Sequence, residues 1–168
     1  MDTLLTQIMN LPPSIIQTFG YIILFLATIC EGIPPLGILV PGQNLVIAGG
    51  FFANIGLMSP LIAFIYIFIG AWIGELFAYA IGKKYGMGFL KKYGKYIKIT
   101  DDVLESTEKI LKKKLLGGMI LSKFYGWTRG VFPFMAGVIR LPLPKIVLFT
   151  GISNMLWGAV FFLIGYCL

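Results

Sequence analysis

Four charged side chains, Glu31, Glu75, Lys123 and Arg129, stand in otherwise long apolar stretches and are the groups with chemistry to do. A charge at bilayer depth costs roughly 2.5–3.5 kcal/mol on insertion scales, so such a residue faces a partner, a cavity or a ligand. Lys123 and Arg129 lie in Ser122–Gly137, a stretch broken by Gly126, Gly130 and Pro133, with Trp127 between the two cations. Two cations beside the N-termini of half-helices would supply the donors and the positive charge that the anionic head of a lipid needs. Pairing with Glu31 and Glu75, or reach of the long side chains to the interface, is the competing structural explanation. A carboxyl in low dielectric that alternates between pairing with Arg129 and accepting a proton would couple substrate release to a gradient. Glu31, at a helix break, fits that role better than Glu75.

The composition limits what surrounds these groups. Of 168 residues, 58% are apolar and 12% charged, and the mean hydropathy is +0.88, which predicts an integral membrane protein with room for one domain. There is no histidine, and the cysteines are Cys30 and Cys167, both in apolar runs and read as buried small side chains. His-based zinc sites, Cys/His nucleophiles and the Ser-His-Asp triad are thereby disfavoured, and no metal or cofactor is expected. The net charge of +7 does not call for nucleic acid, because most of the basic residues fall between Lys83 and Lys114, between hydrophobic blocks. That is the positive-inside pattern of a cytoplasmic loop. No basic residue precedes Lys83, so the N-terminus lacks the charged region of a cleavable signal and is expected to be retained.

The elements that must position the charges follow from the apolar runs and their breakers. A first membrane helix is expected over 14–31, entered through Pro12-Pro13, with a short interfacial helix before it. Residues 32–74 carry no charge, about twice what one crossing needs, so the chain must fold back. Pro34-Pro35, Gly37 and Pro41-Gly42 predict a re-entrant hairpin over 32–56, with arms at Leu36–Val40 and Gln43–Ala53. A second span covers 60–82, with Gly70, Gly74, Ala78 and Gly82 forming a close-packing stripe and Glu75 one step beyond it, facing the interior. Lys83-Lys84 is the expected end of that span.

The basic segment 83–115 carries a surface helix capped at Thr100. It has Glu105–Lys109 and Glu108–Lys112 pairs and a mildly apolar face of Val103, Leu104, Thr107, Ile110 and Leu111. A second re-entrant hairpin is expected over 116–140, with arms at Leu116–Phe124 and Gly130–Ile139, and a last span over 145–167. Trp72, Trp127 and Trp157 read first as packing or interface anchors, and Asn154 as an interhelical hydrogen-bonding group. The expected architecture is all-α, about three transmembrane helices and two opposed hairpins in an inverted repeat, as in secondary transporters.

Taken in order, Glu31 with Pro34-Pro35, Pro41-Gly42-Gln43 with Ala48-Gly49, and Gly70-Ala-x-x-Gly-Glu-x-x-x-Tyr79-x-Ile-Gly82 form the first part of a pattern. Lys92-Tyr-Gly-Lys-Tyr, Lys123 to Arg129, Ala136-Gly137, Trp157 and Gly165-Tyr166 complete it. From about Glu31 to Tyr166 the chain resembles the DedA family, also called the SNARE-associated or VTT domain superfamily. The resemblance implies carriage of lipids between leaflets, undecaprenyl phosphate in many members and glycerophospholipids in others, often driven by proton or sodium gradients. It also implies that two membrane-embedded acids and two arginines six residues apart carry the activity; Glu31 matches the first acid and Arg129 the second arginine. Lys123 stands for the first arginine and lacks the planar fork suited to phosphate. Gly126 replaces a usual proline, Gln43 a usual acid, and Glu75 a more frequent aspartate; many members add a final helix beyond Gly165-Tyr166.

The expected substrate contacts are therefore Arg129, Lys123, Trp127 and Gln43, and the expected coupling residues Glu31 and Glu75. The expected partners are an anionic membrane lipid and protons or sodium ions in the cell membrane, with residues 83–114 cytoplasmic and homo-oligomerisation left open. The competing expectation is a scaffold or assembly factor whose buried charges serve folding alone; a membrane phosphatase ranks lower because no histidine or carboxylate cluster is present.

Overall fold

The computed structural model describes residues 13–34, 36–93, 101–124 and 129–168, and no strand occurs among them. The expected helix before Pro12, the Thr100 cap, Gly126 and Trp127 lie outside the described residues. Helix α1 (Pro13–Gly32) opens on a proline, whose missing N–H is harmless in a first turn. It stops just before Ile33-Pro34, because a residue preceding proline is driven out of the α region. A 3-10 turn at Leu36–Ile38 leads to α2 (Gly42–Asn54). The expected descending arm Leu36–Val40 is thus only a turn: Pro34 and Pro41 bracket too short a run to nucleate an α-helix.

Helix α3 (Pro60–Tyr93) runs straight past Lys83-Lys84. Lysine is a good helix former, so the change from apolar to basic residues does not break the backbone. The break comes at Gly86, at φ 53° and ψ −144°, a conformation that suits glycine alone. Next come α4 (Asp101–Lys113), α5 (Leu115–Ser122), α6 (Val131–Val138) and α7 (Leu143–Tyr166). The last helix starts before Ile146 because its first turn accommodates Pro144. In α4 the two expected ion pairs form, each at 2.6 Å, and the bonded Lys109 ammonium holds the Glu105 carboxyl below its ordinary range. Thr107 and Leu111 of that helix are buried, while Ile110 is exposed.

Two described helices are long and apolar enough to cross a membrane: the 27 residues Pro60–Gly86 of α3 and the 24 residues of α7. Phe19–Gly32 of α1 is a further apolar helical stretch. Leu61, Ile65 and Phe77 on α3 and Leu148, Met155 and Leu163 on α7 are exposed, an apolar surface of the kind that a bilayer covers. Inside, two apolar clusters form. One gathers Ala78, Tyr79, Met119, Phe134, Met135 and Ile146; the other gathers Leu24, Val46, Ile67, Trp157 and Phe162. Ile67 therefore meets the late part of α7 and Tyr79 the early part, so α3 and α7 run antiparallel. Trp72 ties them together by donating to the Val147 carbonyl at 3.0 Å and to Thr150 Oγ1 at 3.2 Å. Glu75 and Asn154 lie between the two clusters, near the middle of these helices.

Glycines set the closest approaches, and they do so crosswise. In the expected stripe, Gly70 and Gly74 press on the Phe25 and Ile29 carbonyls of α1, whereas Gly82 presses on the Phe134 carbonyl of α6. Gly137 of α6 returns that contact on the Tyr79 carbonyl of α3. The same reciprocal geometry joins α2 to α7: Gly165 meets the Ile47 carbonyl and Gly50 the Phe162 carbonyl. The ends of α2 and α6 also match. Leu57 N–H bonds back to Phe52 O at 3.0 Å and Gly56 N–H to Ala53 O at 3.2 Å; Leu141 N–H bonds to Ala136 O at 2.9 Å and Arg140 N–H to Gly137 O at 3.0 Å. Both are Schellman closures, and both residues at the left-handed position, Gly56 and Arg140, have positive φ.

A Cβ at Gly165 has no room against the Ile47 backbone, so Gly165→Ala should destabilise the protein by about 1–3 kcal/mol, the usual cost of overpacking. Gly88→Ala, where nothing lies within 4 Å, should be neutral or stabilising. Thermal unfolding of the two variants in detergent checks the contrast.

Candidate functional site: a buried charge cluster

Five segments each bring one polar group to the space between the two apolar clusters. Glu31 comes from the last turn of α1 and Glu75 from the middle of α3. Lys123 caps the end of α5, Arg129 immediately precedes the Gly130 cap of α6, and Asn154 lies in α7. The backbone around them is shaped for close fit. A Cβ at Gly42 would overlap the Glu31 carboxylate, so only glycine lets α2 begin there. Gly130 seats the start of α6 on the Gly32 carbonyl and Pro34 N, at the end of α1.

The Lys123 ammonium donates to Glu75 Oε1 and, at 3.1 Å, to Asn154 Oδ1. Arg129 Nη1 donates to Glu31 Oε2 at 2.7 Å, and Nη2 reaches Asn154 Oδ1 at 3.4 Å. Arg129 Nε is 3.5 Å from Glu75 Oε1. The guanidinium lies over the face of Trp157, its Cζ 3.6 Å from the ring centroid, a cation–π contact in a desolvated setting. Lys123, Glu75 and Asn154 are fully buried and Arg129 nearly so, while the Glu31 side chain is 12% exposed. Two positive and two negative charges balance, with Asn154 Oδ1 bridging the cations as a neutral acceptor.

Of the six residues expected at the site, Glu31, Glu75, Lys123 and Arg129 are in direct contact. Gln43 is half-buried in the first turn of α2 and makes no hydrogen bond or ion pair among the described residues. One expectation needs correcting: only Arg129 stands at a helix N-terminus. Lys123 is at the C-terminal end of α5, where a cation complements the helix dipole, because Lys123 N–H already closes the last turn on Ile120 O. Cys167 is exposed rather than buried, being beyond the last turn of α7. Trp157, expected as an anchor, instead supports the arginine. Nothing local in the sequence marks that role, although Asn154 and Trp157, three apart, share a helix face. No group of three or more His, Cys, Asp or Glu able to hold a metal lies among the described residues.

The VTT domain matches residues 40–167. The chain belongs to this family of DedA-type membrane proteins. It is 31% identical over 157 residues to the uncharacterized membrane protein YbfM of Bacillus subtilis, covering 94% of this chain and 95% of that one. It is 29% identical over 127 residues to undecaprenyl phosphate transporter A of the same organism, covering 76% of this chain and 64% of the transporter. An alkaline phosphatase-like protein of Lactococcus lactis is 24% identical over 177 residues, covering 100% of this chain and 76% of that one. No solved structure matches. With its apolar helices and these relatives, the chain is a membrane protein.

Lys123→Met should leave the buried Glu75 charge with only its long 3.5 Å contact to Arg129 Nε and cost about 3–5 kcal/mol, whereas adding Glu75→Gln should restore most of the loss. A double-mutant cycle in detergent unfolding reads the difference.

Proposed function

We propose that the protein is a lipid transporter that carries an anionic head group, of a polyprenyl phosphate or a phospholipid, between membrane leaflets. The observation that carries this reading is a fork-shaped cation, Arg129, buried against a carboxylate, Glu31, that occupies the place an anion would take. A carboxylate and a phosphate present the same oxygen pair to a guanidinium, so a phosphate binds by displacing Glu31. Glu31 is also the acid with some exposure, so it can take up a proton, release Arg129 and let the lipid head enter. Lys123 then acts mainly as the partner of Glu75. The relative named as an undecaprenyl phosphate transporter supports this substrate class.

The architecture suits transport. The crosswise glycine contacts and the matched closures of α2 and α6 support two opposed re-entrant hairpins, 32–56 and 116–140, related as an inverted repeat, with the cluster where they meet. In this arrangement α1, α3 and α7 cross the bilayer of the cell membrane and the basic segment 83–114 is cytoplasmic. Proton coupling fits the cluster better than sodium. A hard cation wants several oxygens, and Glu75 Oε1, Glu31 Oε2 and Asn154 Oδ1 already accept from Lys123 or Arg129.

A scaffold reading draws on one observation, the exact balance of charge inside the cluster, which serves folding by itself. Reconstituted vesicles separate the two. Arg129→Ala should lose lipid transport by tenfold or more while remaining folded, since truncating a buried charged contact costs at least 2 kcal/mol; full transport in a folded Arg129→Ala protein favours the scaffold. Glu31→Gln should move lipid at a rate that no longer responds to an imposed proton gradient, measured in the same vesicles; an undiminished response removes Glu31 from the coupling role.

A further inference from the structure

The cluster holds more hydrogen-bonding capacity than its charges use. Three donors, Arg129 Nε, Asn154 Nδ2 and Trp157 Nε1, and one acceptor, Glu75 Oε2, are buried with no hydrogen-bond partner among the described residues, Arg129 Nε having only its 3.5 Å ion-pair approach to Glu75 Oε1. The orientation of Asn154 is not arbitrary: turning its amide over would set NH2 against Lys123 Nζ and Arg129 Nη2, donor facing donor. The indole is likewise held by the guanidinium stacked on its face. Asn154 and Trp157 share a face of α7, and both touch Arg129. Leaving a buried N–H unpaired costs about 1–3 kcal/mol, and a phenylalanine at 157 would keep an aromatic face under Arg129 without that cost. The Asn154 oxygen is accounted for by the two cations and the Trp157 ring by the guanidinium, but neither contact uses the amide NH2 or the indole N–H.

We propose that Asn154 and Trp157 form the neutral half of the head-group site, their side-chain N–H groups donating to phosphate oxygens while Arg129 supplies the charge. This rests on the transport reading above. Three donors against one acceptor suit an oxyanion and oppose a cation. A phosphate presents several lone pairs and can take all three N–H groups; the one orphan acceptor, Glu75 Oε2, stays beside the cations. The pair thus reads the phosphate itself, which a neutral lipid with the same tail does not offer. A lipid alcohol is disfavoured in this site because its single uncharged oxygen can neither accept from all of these N–H groups nor pair with Arg129.

The test uses the full chain in nanodiscs, titrated with undecaprenyl phosphate, with phosphatidylglycerol and with undecaprenol, the neutral alcohol. Trp157→Phe keeps an aromatic face under Arg129 and deletes only the N–H. It should weaken binding of the phosphate lipid about tenfold or more, leave undecaprenol binding unchanged, and hold or raise the melting temperature. In the 15N-labelled wild-type protein, the Trp157 indole resonance, identified by eliminating those of Trp72 and Trp127, should move on adding a phosphate lipid and not on adding the alcohol. Whichever of the two phosphate lipids moves it names the source. Unchanged phosphate-lipid affinity in Trp157→Phe, or an indole resonance that ignores phosphate lipid in a wild-type protein that binds it, overturns the inference and leaves a buried water as the partner of these groups. A wild-type protein that binds phosphate lipid no better than alcohol overturns the transport reading and this inference together.

Discussion

A buried ion pair is rarely a gain in stability, because taking two charges from water costs nearly what their attraction returns. The Lys123–Glu75 and Arg129–Glu31 pairs tie together α1, α3 and the inner ends of α5 and α6, and Asn154 brings in α7. Every one of these segments must be in place for every charge to be matched. Asn154 makes the arrangement workable, since a single neutral oxygen accepts from both cations and adds no charge of its own. A third acid in its place would tip the cluster negative and hold both cations fast; a leucine would leave two ammonium-type groups facing each other across an apolar gap.

The pairs differ in what they permit. Lys123 and Glu75 are sealed from every side, and the short stem of helix on which Lys123 sits gives the ammonium few alternatives. In the Arg129–Glu31 pair the carboxylate keeps some exposure, its side chain being 12% accessible. On the proposed reading this is the contact that opens, with a proton replacing the guanidinium at Glu31 and an anion replacing the carboxylate at Arg129. Trp157 contacts the guanidinium independently of Glu31, so that contact does not depend on which anion pairs with Arg129.

Much of this was legible in the sequence because isolated charges in apolar runs have so few explanations. Glu31, Glu75, Lys123 and Arg129 could be named from their surroundings alone, and the second pair of arms, Leu116–Phe124 and Gly130–Ile139, lies close to α5 and α6. What was not legible depends on backbone detail or long-range partners. The arm after Pro35 shrank to a turn because prolines on both sides starve it of donors. Helix α3 outran its lysines because charge is not a helix breaker, and Gly86 rather than Lys83 marks the bend. The role of Trp157 was hidden because nothing local distinguishes a tryptophan under an arginine from one at an interface. The four orphan polar atoms follow from the geometry of five segments meeting, which no single segment records.

The crosswise seams have a mechanical corollary. Each short helix, α2 or α6, is seated on a long helix of the opposite half, and each seam is glycine against carbonyl with no side chain between. Neither short helix can swing away without lifting off the long helix on which it is seated. Relative movement of these helices is therefore constrained to run as a shear along both seams at once.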